Sequence, residues 1–133
     1  MRFLYALLRP RRYDTKRVKF GKVLLKAFVA DSFLKKMFGL MFWNSISSDS
    51  CMLFLLGKPV KEGIWMLNMN FPIDIVWLNK EKEVVSIVKN AKPCKFFNCQ
   101  IYKPEKPANY VLELKSGATD RLGIKIRSKF DWQ

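Results

Sequence analysis

The sequence predicts an α+β domain, mostly antiparallel β, with a compact barrel-like sheet and two short helices. Three observations lead there. Apolar residues come in short runs separated by Gly, Pro, Asn and Asp, the punctuation of strands and turns. Only two segments, near residues 31–41 and 116–122, carry helix signals. Half of the 133 residues are hydrophobic and 14% are aromatic, enough for a real core in one domain.

Residues 16–30 mix Val18, Phe20, Val23, Leu24, Leu25, Phe28 and Val29 with lysines, which predicts strand, with a hairpin turn near Gly21 and Lys22. Asp31 then reads as the N-cap of a helix whose Phe33, Leu34, Met37, Phe38 and Met41 share one face. Gly39 near its end suits close backbone packing. Residues 44–50 are a polar loop. Residues 51–56 are continuously apolar, a strand buried on both faces, ended by Gly57-Lys58-Pro59. Residues 63–69 form the next strand, and Pro72, which offers no N–H, interrupts pairing. Strands at 73–78 and 83–89 flank a hairpin at 79–82. Residues 90–107 are irregular and hold Cys94, Cys99 and three of the six prolines. A strand at 108–114 precedes a helix capped by Ser116, running through Leu122 and closed by Gly123. A last strand is expected at 124–127.

The charge is lopsided. Residues 1–30 hold nine Lys or Arg against Asp14 alone, about +8 of the net +14. This divides the chain into a basic arm, residues 1–16, and a β-rich domain, residues 17–133. Such an arm meets phosphates or anionic lipid, or is simply a solvated Lys-rich surface of the kind common in proteins from hot environments. No apolar stretch reaches the roughly 18 residues that span a bilayer. The apolar segment in residues 1–10 is too short for a signal peptide and lacks a small-residue cleavage site, which points to the cytoplasm. A competing reading has residues 3–8, flanked by Arg9, Arg11 and Arg12, touching a membrane surface.

The chain has no histidine. That removes Ser–His and Cys–His hydrolases, imidazole proton shuttles and metal sites built on imidazole. Carboxylate, Lys, Tyr and Cys remain for acid–base work.

Residues 63–78 are apolar enough to be core, yet carry Asn68, Asn70 and Asp74. A carboxylate in a buried strand costs several kcal/mol unless it is hydrogen-bonded or paired. Alternation sets Ile73, Ile75 and Trp77 on one face and Asp74, Val76 and Leu78 on the other, so Asp74 points inward or at a rim. It is either a structural acceptor for loop N–H groups or the polar point of an apolar pocket, with Asn68 nearby.

Gly39-Leu40-Met41-Phe42, then Met52-Leu53-Phe54, then Trp65-Met66-x-Asn68-x-x-x-Pro72-x-Asp74 form an ordered series of motifs. Pro93-Cys94 with Cys99, the strand Tyr110-Val111-Leu112-Glu113-Leu114 and Gly117 extend it. Over roughly residues 18–127 the chain resembles an uncharacterised prokaryotic family, domain of unknown function 192. The resemblance implies a compact, β-rich, barrel-like domain with small helices and no assigned activity. The chain departs from the family's pattern at Trp43, where an Arg is usual, at Cys51 in place of Gly, and at Leu67 and Met69, where Lys and Thr are frequent. A pocket built from those polar residues in relatives is more apolar here.

Four residues separate Cys94 from Cys99, a spacing that can close a disulfide, whereas two-residue spacing is the commoner zinc signal. Reduced thiols are the default in a mesophile's cytosol, while a hyperthermophile can keep the bond, and the disulfide is the favoured reading. With Cys51 as the only other thiol, a full zinc set is not expected. Met37, Met41, Met52, Met66 and Met69 sit at helix and strand periods, which favours core packing over a copper(I) site. No metal and no cofactor are expected.

These residues favour a small, non-enzymatic ligand-binding or interaction module with candidate residues Trp65, Asn68, Asp74 and Glu113. The alternative is binding of nucleic acid or another polyanion through Arg9, Arg11, Arg12, Lys16 and Arg17, with Lys-dominated charge elsewhere favouring phosphate contacts over base readout. A third reading makes Asp74 and Glu113 a catalytic carboxylate pair, which their separation in space decides.

Overall fold

A computed structural model describes residues 6–96 and 98–133. β1 (Thr15–Phe20) and β2 (Val23–Ala30) form an antiparallel hairpin about Gly21, whose φ of +59° suits the tight turn. Next comes α1 (Phe33–Phe38). Its N-cap is Ser32, not Asp31: the Ser32 hydroxyl accepts from the Lys35 N–H at 3.3 Å, while Asp31 forms an ion pair with Lys35 one turn on. The helix stops at Gly39, so Met41 lies beyond its apolar face.

β3 (Ser50–Val60) lies parallel to β2. The β2–α1–β3 run is therefore a crossover, the connection a parallel pair requires. β4 (Ile64–Trp65), β5 (Ile73–Leu78), β6 (Val84–Ala91), β7 (Ile101–Tyr102), β8 (Ala108–Lys115) and α2 (Ala118–Leu122) complete the elements, with a further helical turn at residues 6–8. The six-stranded sheet has the order β1-β2-β3-β8-β5-β6, antiparallel everywhere except β2–β3. β4 and β7 form a separate two-stranded ribbon.

The sheet is not closed by pairing of β1 with β6. Instead the C-terminal segment reaches both edges. Asp131 exchanges backbone hydrogen bonds with Lys19 on β1, and Arg127, Ser128 and Phe130 bond to Val84 and Lys82 at the head of β6. The expected strand at 124–127 is a turn in which Arg127 has a φ of +75°, and the strand-like bridging falls at Lys129 and Asp131 instead.

Three further expectations are corrected. Gly57-Lys58-Pro59 does not end β3: the strand continues, with its register against β8 shifted between Leu55 and Val60 and Gly57 at a φ of +80°. The strand expected at 63–69 shrinks to Ile64–Trp65, because Asn68 turns left-handed at a φ of +59°. Ser116 does not cap α2, whose N-cap is Gly117. The Ser116 hydroxyl donates to Asn90 Oδ1 at 2.7 Å.

Alternation along β3, β5 and β8 builds one core on each face of the sheet. Leu53, Val76, Leu112 and Leu114 pack with Phe130 and Trp132 on the first. Met52, Phe54, Ile75, Trp77 and Leu40 pack on the second. Among the described residues no helix is long and apolar enough to cross a membrane. Of the segment expected to touch one, residues 3–5 lie outside the described residues.

Candidate functional site

In β8, Val111 and Glu113 face the second core while Leu112 and Leu114 face the first. Glu113 stands directly opposite Met52 on β3 and Ile75 on β5, in the middle of the sheet. Only 4% of it is exposed, and its Oε1 has no hydrogen-bond partner among the described residues. Burial pushes its pKa up to about 8, so near neutrality this group is a carboxylic acid, able to donate as well as accept.

Glu113 is not sealed in. It lines the floor of a cleft of about 330 Å³ between α1, β3 and β4. Gly39 makes the room: at a φ of +51°, a Cβ there would lie 3.1 Å from the Phe54 ring and 3.3 Å from Glu113 Oε1. Phe33, Met37 and Trp65 border the cleft and are 77%, 39% and 45% exposed. An apolar mouth over one buried polar group is the usual make-up of a small-molecule site.

Of the four candidate ligand residues, the structure brings Trp65 and Glu113 together and sets the other two apart. Asp74 is directly opposite Leu114, so it projects from the opposite face of the sheet to Glu113. Its Oδ1 accepts from the Asn90 N–H at 2.9 Å, and its Oδ2 from the Thr119 N–H at 2.9 Å and the Thr119 hydroxyl at 2.7 Å. These bonds tie β5 to the end of β6 and to α2. The two carboxyls share no cavity and form no catalytic pair. Asn68 lines neither large cleft; its backbone N–H donates to Cys94 and its carbonyl accepts from Phe42.

Cys94 and Cys99 are joined by a disulfide, with Cα atoms 5.5 Å apart. The Cys51 thiol is buried, and burial pushes its pKa up to about 12, leaving it protonated and unreactive. Among the described residues no cluster of three or more Cys, Asp or Glu could hold a metal ion.

A second, more open cleft of about 890 Å³ holds Arg9, Arg11 and Arg12 together with Lys35, Tyr13 and Trp43. Of the five basic candidates these three arginines converge. Lys16 instead donates to the Gln133 carbonyl at 2.7 Å, and Arg17 projects from β1. Half-burial, and then the nearby Glu113, push the Tyr13 hydroxyl up to about 12, against a smaller opposite effect of Arg9. Reading the sequence missed Tyr13, Trp43 and Gly39 as site residues. Tyr13 lies 30 residues before Trp43, so only the fold brings those two together, and Gly39 acts through its backbone conformation, which leaves no periodic mark.

A curved six-stranded mixed sheet, three short helical segments among the described residues and a cleft over one buried carboxyl define a small α+β domain of recurring shape. A crystal structure of a Sinorhizobium meliloti protein, proposed to be a transcription regulator, superposes with a TM-score of 0.84 at 25% identity, covering 92% of this chain and 97% of that one. A protein of unknown function from Novosphingobium aromaticivorans matches with a TM-score of 0.79 at 28% identity, covering 90% and 85%. The chain belongs to the DUF192 family, Uncharacterized ACR, whose model matches residues 16–132. It is 28% identical to a UPF0127 protein of Pyrococcus furiosus, over 84% of this chain and 90% of that protein. It is 31% identical to a UPF0127 protein of Thermococcus sibiricus, over 79% of this chain and 64% of that one. None of these descriptions assigns this chain an activity.

Proposed function

We propose that the protein is a non-enzymatic binding module whose cleft over Glu113 takes a small, largely apolar molecule bearing one hydrogen-bonding group. The observation that carries this reading is Glu113 Oε1, buried, unpartnered and on the floor of a mainly apolar cleft that Lys36 and Glu62 also line. A buried polar atom left unpaired costs about 1–3 kcal/mol. A ligand group that satisfies it recovers part of that. A protonated carboxyl matches a primary amide best, since each side donates once and accepts once. With Asp74 committed on the opposite face, Asp74 and Glu113 do not work as a carboxylate pair, and the other carboxyl lining the cleft is Glu62, with Lys36 also on the lining.

The test is a titration with octanamide, octanol and octane-1-sulfonate, followed by Trp65 emission against a Trp65→Phe control. Octanamide should bind saturably and most tightly. Glu113→Leu should weaken it about fivefold, the worth of one net hydrogen bond of about 1 kcal/mol, while leaving octanol closer to wild type. Absence of saturable binding, or equal octanamide affinity in Glu113→Leu, would sink the reading.

A second reading, polyanion binding by the basic arm, is supported by the convergence of Arg9, Arg11 and Arg12 on one cleft. Affinity for a long single-stranded oligonucleotide should then fall steeply between 50 and 200 mM salt, on the order expected for released counterions. A cytoplasmic location goes with both readings, and cell fractionation checks it.

A further inference from the structure

The cleft that holds the three arginines is larger than a phosphate group needs and is not purely basic. At about 890 Å³ it sits at the upper end of the range for small-molecule sites. One part is cationic: Arg11 and Arg12 are exposed, Lys35, ion-paired to Asp31, lines the cleft from α1, and Asp14 is the lone acid among the lining residues. The other part is aromatic. Trp43 meets Tyr13 edge-to-face at 5.8 Å and Phe28 at 5.1 Å, and all three line the cleft. The two parts are held in register. The Arg9 guanidinium donates to the Phe42 carbonyl at 3.1 Å, which ties the arm to the segment bearing Trp43, and the Lys35 ammonium stands 5.5 Å from the centre of the Tyr13 ring.

Guanidinium groups recognise phosphate oxygens in a two-pronged geometry, and aromatic side chains stack on planar bases whatever their identity. From this juxtaposition we infer that the Arg9–Arg12 cleft binds a nucleotide unit, its phosphate on Arg11 and Arg12 and its base against the Tyr13–Trp43 wall. This rests on the polyanion reading and narrows it from any polyanion to a phosphate with a planar ring attached. The same unit occurs as a free nucleotide and in an unpaired strand; in a duplex its bases are already stacked and unavailable.

The probes are ADP, inorganic pyrophosphate, single-stranded dT12 and a 12-base-pair duplex, titrated against the full chain at 50 mM salt by calorimetry. ADP or dT12 should bind at least about fivefold more tightly than pyrophosphate or the duplex, respectively, the stacking increment of one base. Binding of ADP but not dT12 assigns the site to a free nucleotide, and the reverse assigns it to a strand. The double variant Arg11→Ala, Arg12→Ala should weaken every probe at least tenfold. Trp43→Leu should weaken ADP or dT12 and leave pyrophosphate unchanged, and Tyr13→Leu replaces it if circular dichroism shows Trp43→Leu unfolded. Pyrophosphate binding as tightly as ADP, with Trp43→Leu and Tyr13→Leu both silent, overturns the inference. The polyanion reading survives that outcome if the arginine variant still abolishes binding. Should no probe bind at 50 mM salt, both fall together.

Discussion

Two carboxyls one strand position apart in the same sheet have opposite surroundings, and each yields a distinct mutational signature. Asp74 accepts three hydrogen bonds, from the Asn90 N–H and from the N–H and hydroxyl of Thr119. Asp74→Ala leaves the two buried Thr119 donors without an acceptor, at about 1–3 kcal/mol for each group left unsatisfied, while the Asn90 N–H is only part-buried. A loss of about 3 kcal/mol or more is expected in urea denaturation, with Asp74→Asn intermediate because it keeps one acceptor oxygen. Wild-type stability in both variants would falsify the clamp. Glu113 behaves in the other direction. Its carboxyl is neutral in the folded chain up to about pH 8 and ionises near 4.5 once unfolded. Between those values the folded state holds the extra proton, so this group stabilises fully below about pH 4.5 and loses that contribution as pH rises to about 8. The decline is at most about 1.4 kcal/mol per pH unit. Glu113→Gln, which does not titrate, should flatten the stability profile across that window and be more stable than wild type at pH 8. Parallel wild-type and variant profiles from pH 5 to 8 would show that Glu113 does not titrate as its burial requires.

At the scale of elements, α1 and the segment after it shape the cleft. The helix is only six residues long, too short to be stable alone, so the burial of Phe38 and the Ser32 cap must hold it. Its termination at Gly39 is a structural requirement, because the backbone there adopts a φ of +51° and a ψ of −126°, which residues with a Cβ strongly avoid. Gly39→Ala adds that strain to contacts with Phe54 and Glu113. A loss of about 1–3 kcal/mol is expected, seen as a melting temperature lower by several degrees. The same methyl would shrink the cleft floor, so octanamide binding should fall even at temperatures where the variant is fully folded. Unchanged melting and unchanged binding would place the cleft elsewhere.

The whole molecule depends on a segment with almost no regular structure of its own. The last residues pair with Lys19 on β1 on one side and with Lys82 to Val84 at the head of β6 on the other, capping part of each edge that an open sheet would expose. Phe130 is 1% exposed and stacks on Phe20 at 4.9 Å, and Trp132 meets Tyr110 edge-to-face at 4.8 Å. The Lys82 ammonium donates to the Trp132 carbonyl at 2.8 Å and sits over its ring. Phe130→Ala should cost about 3–5 kcal/mol, the usual range for a fully buried Phe. Deleting residues 128–133 should do more than that sum of contacts, because it also uncovers both edges: the product should associate, read by light scattering. A monomeric, cooperatively folding truncation would show that the sheet closes without its tail.

The sequence by itself determined the long strands of the sheet, because alternation and unbroken apolar runs report which faces are buried, but it overextended the strand at 63–69 and placed one at 124–127 where the chain turns. Residues 73–78 and 108–114 emerge as β5 and β8 nearly to the residue, and the turn between β5 and β6 follows from Asn79, whose side chain accepts from the Glu81 and Glu83 N–H groups. It also singled out Glu113 and Asp74, since acids inside apolar strands stand out against their neighbours. What only the tertiary structure decided is which partner each acid meets. Register between β5 and β8 puts the two carboxyls on opposite faces, and a slip of one residue would have joined them. Register is a property of paired strands, with no mark in either alone. The same holds for Asn68, whose left-handed backbone ends a strand that its apolar neighbours favour, and for the tail, whose role at both sheet edges exists only once the edges are formed. Periodicity records what a residue faces; contact between distant segments follows from how the whole chain closes.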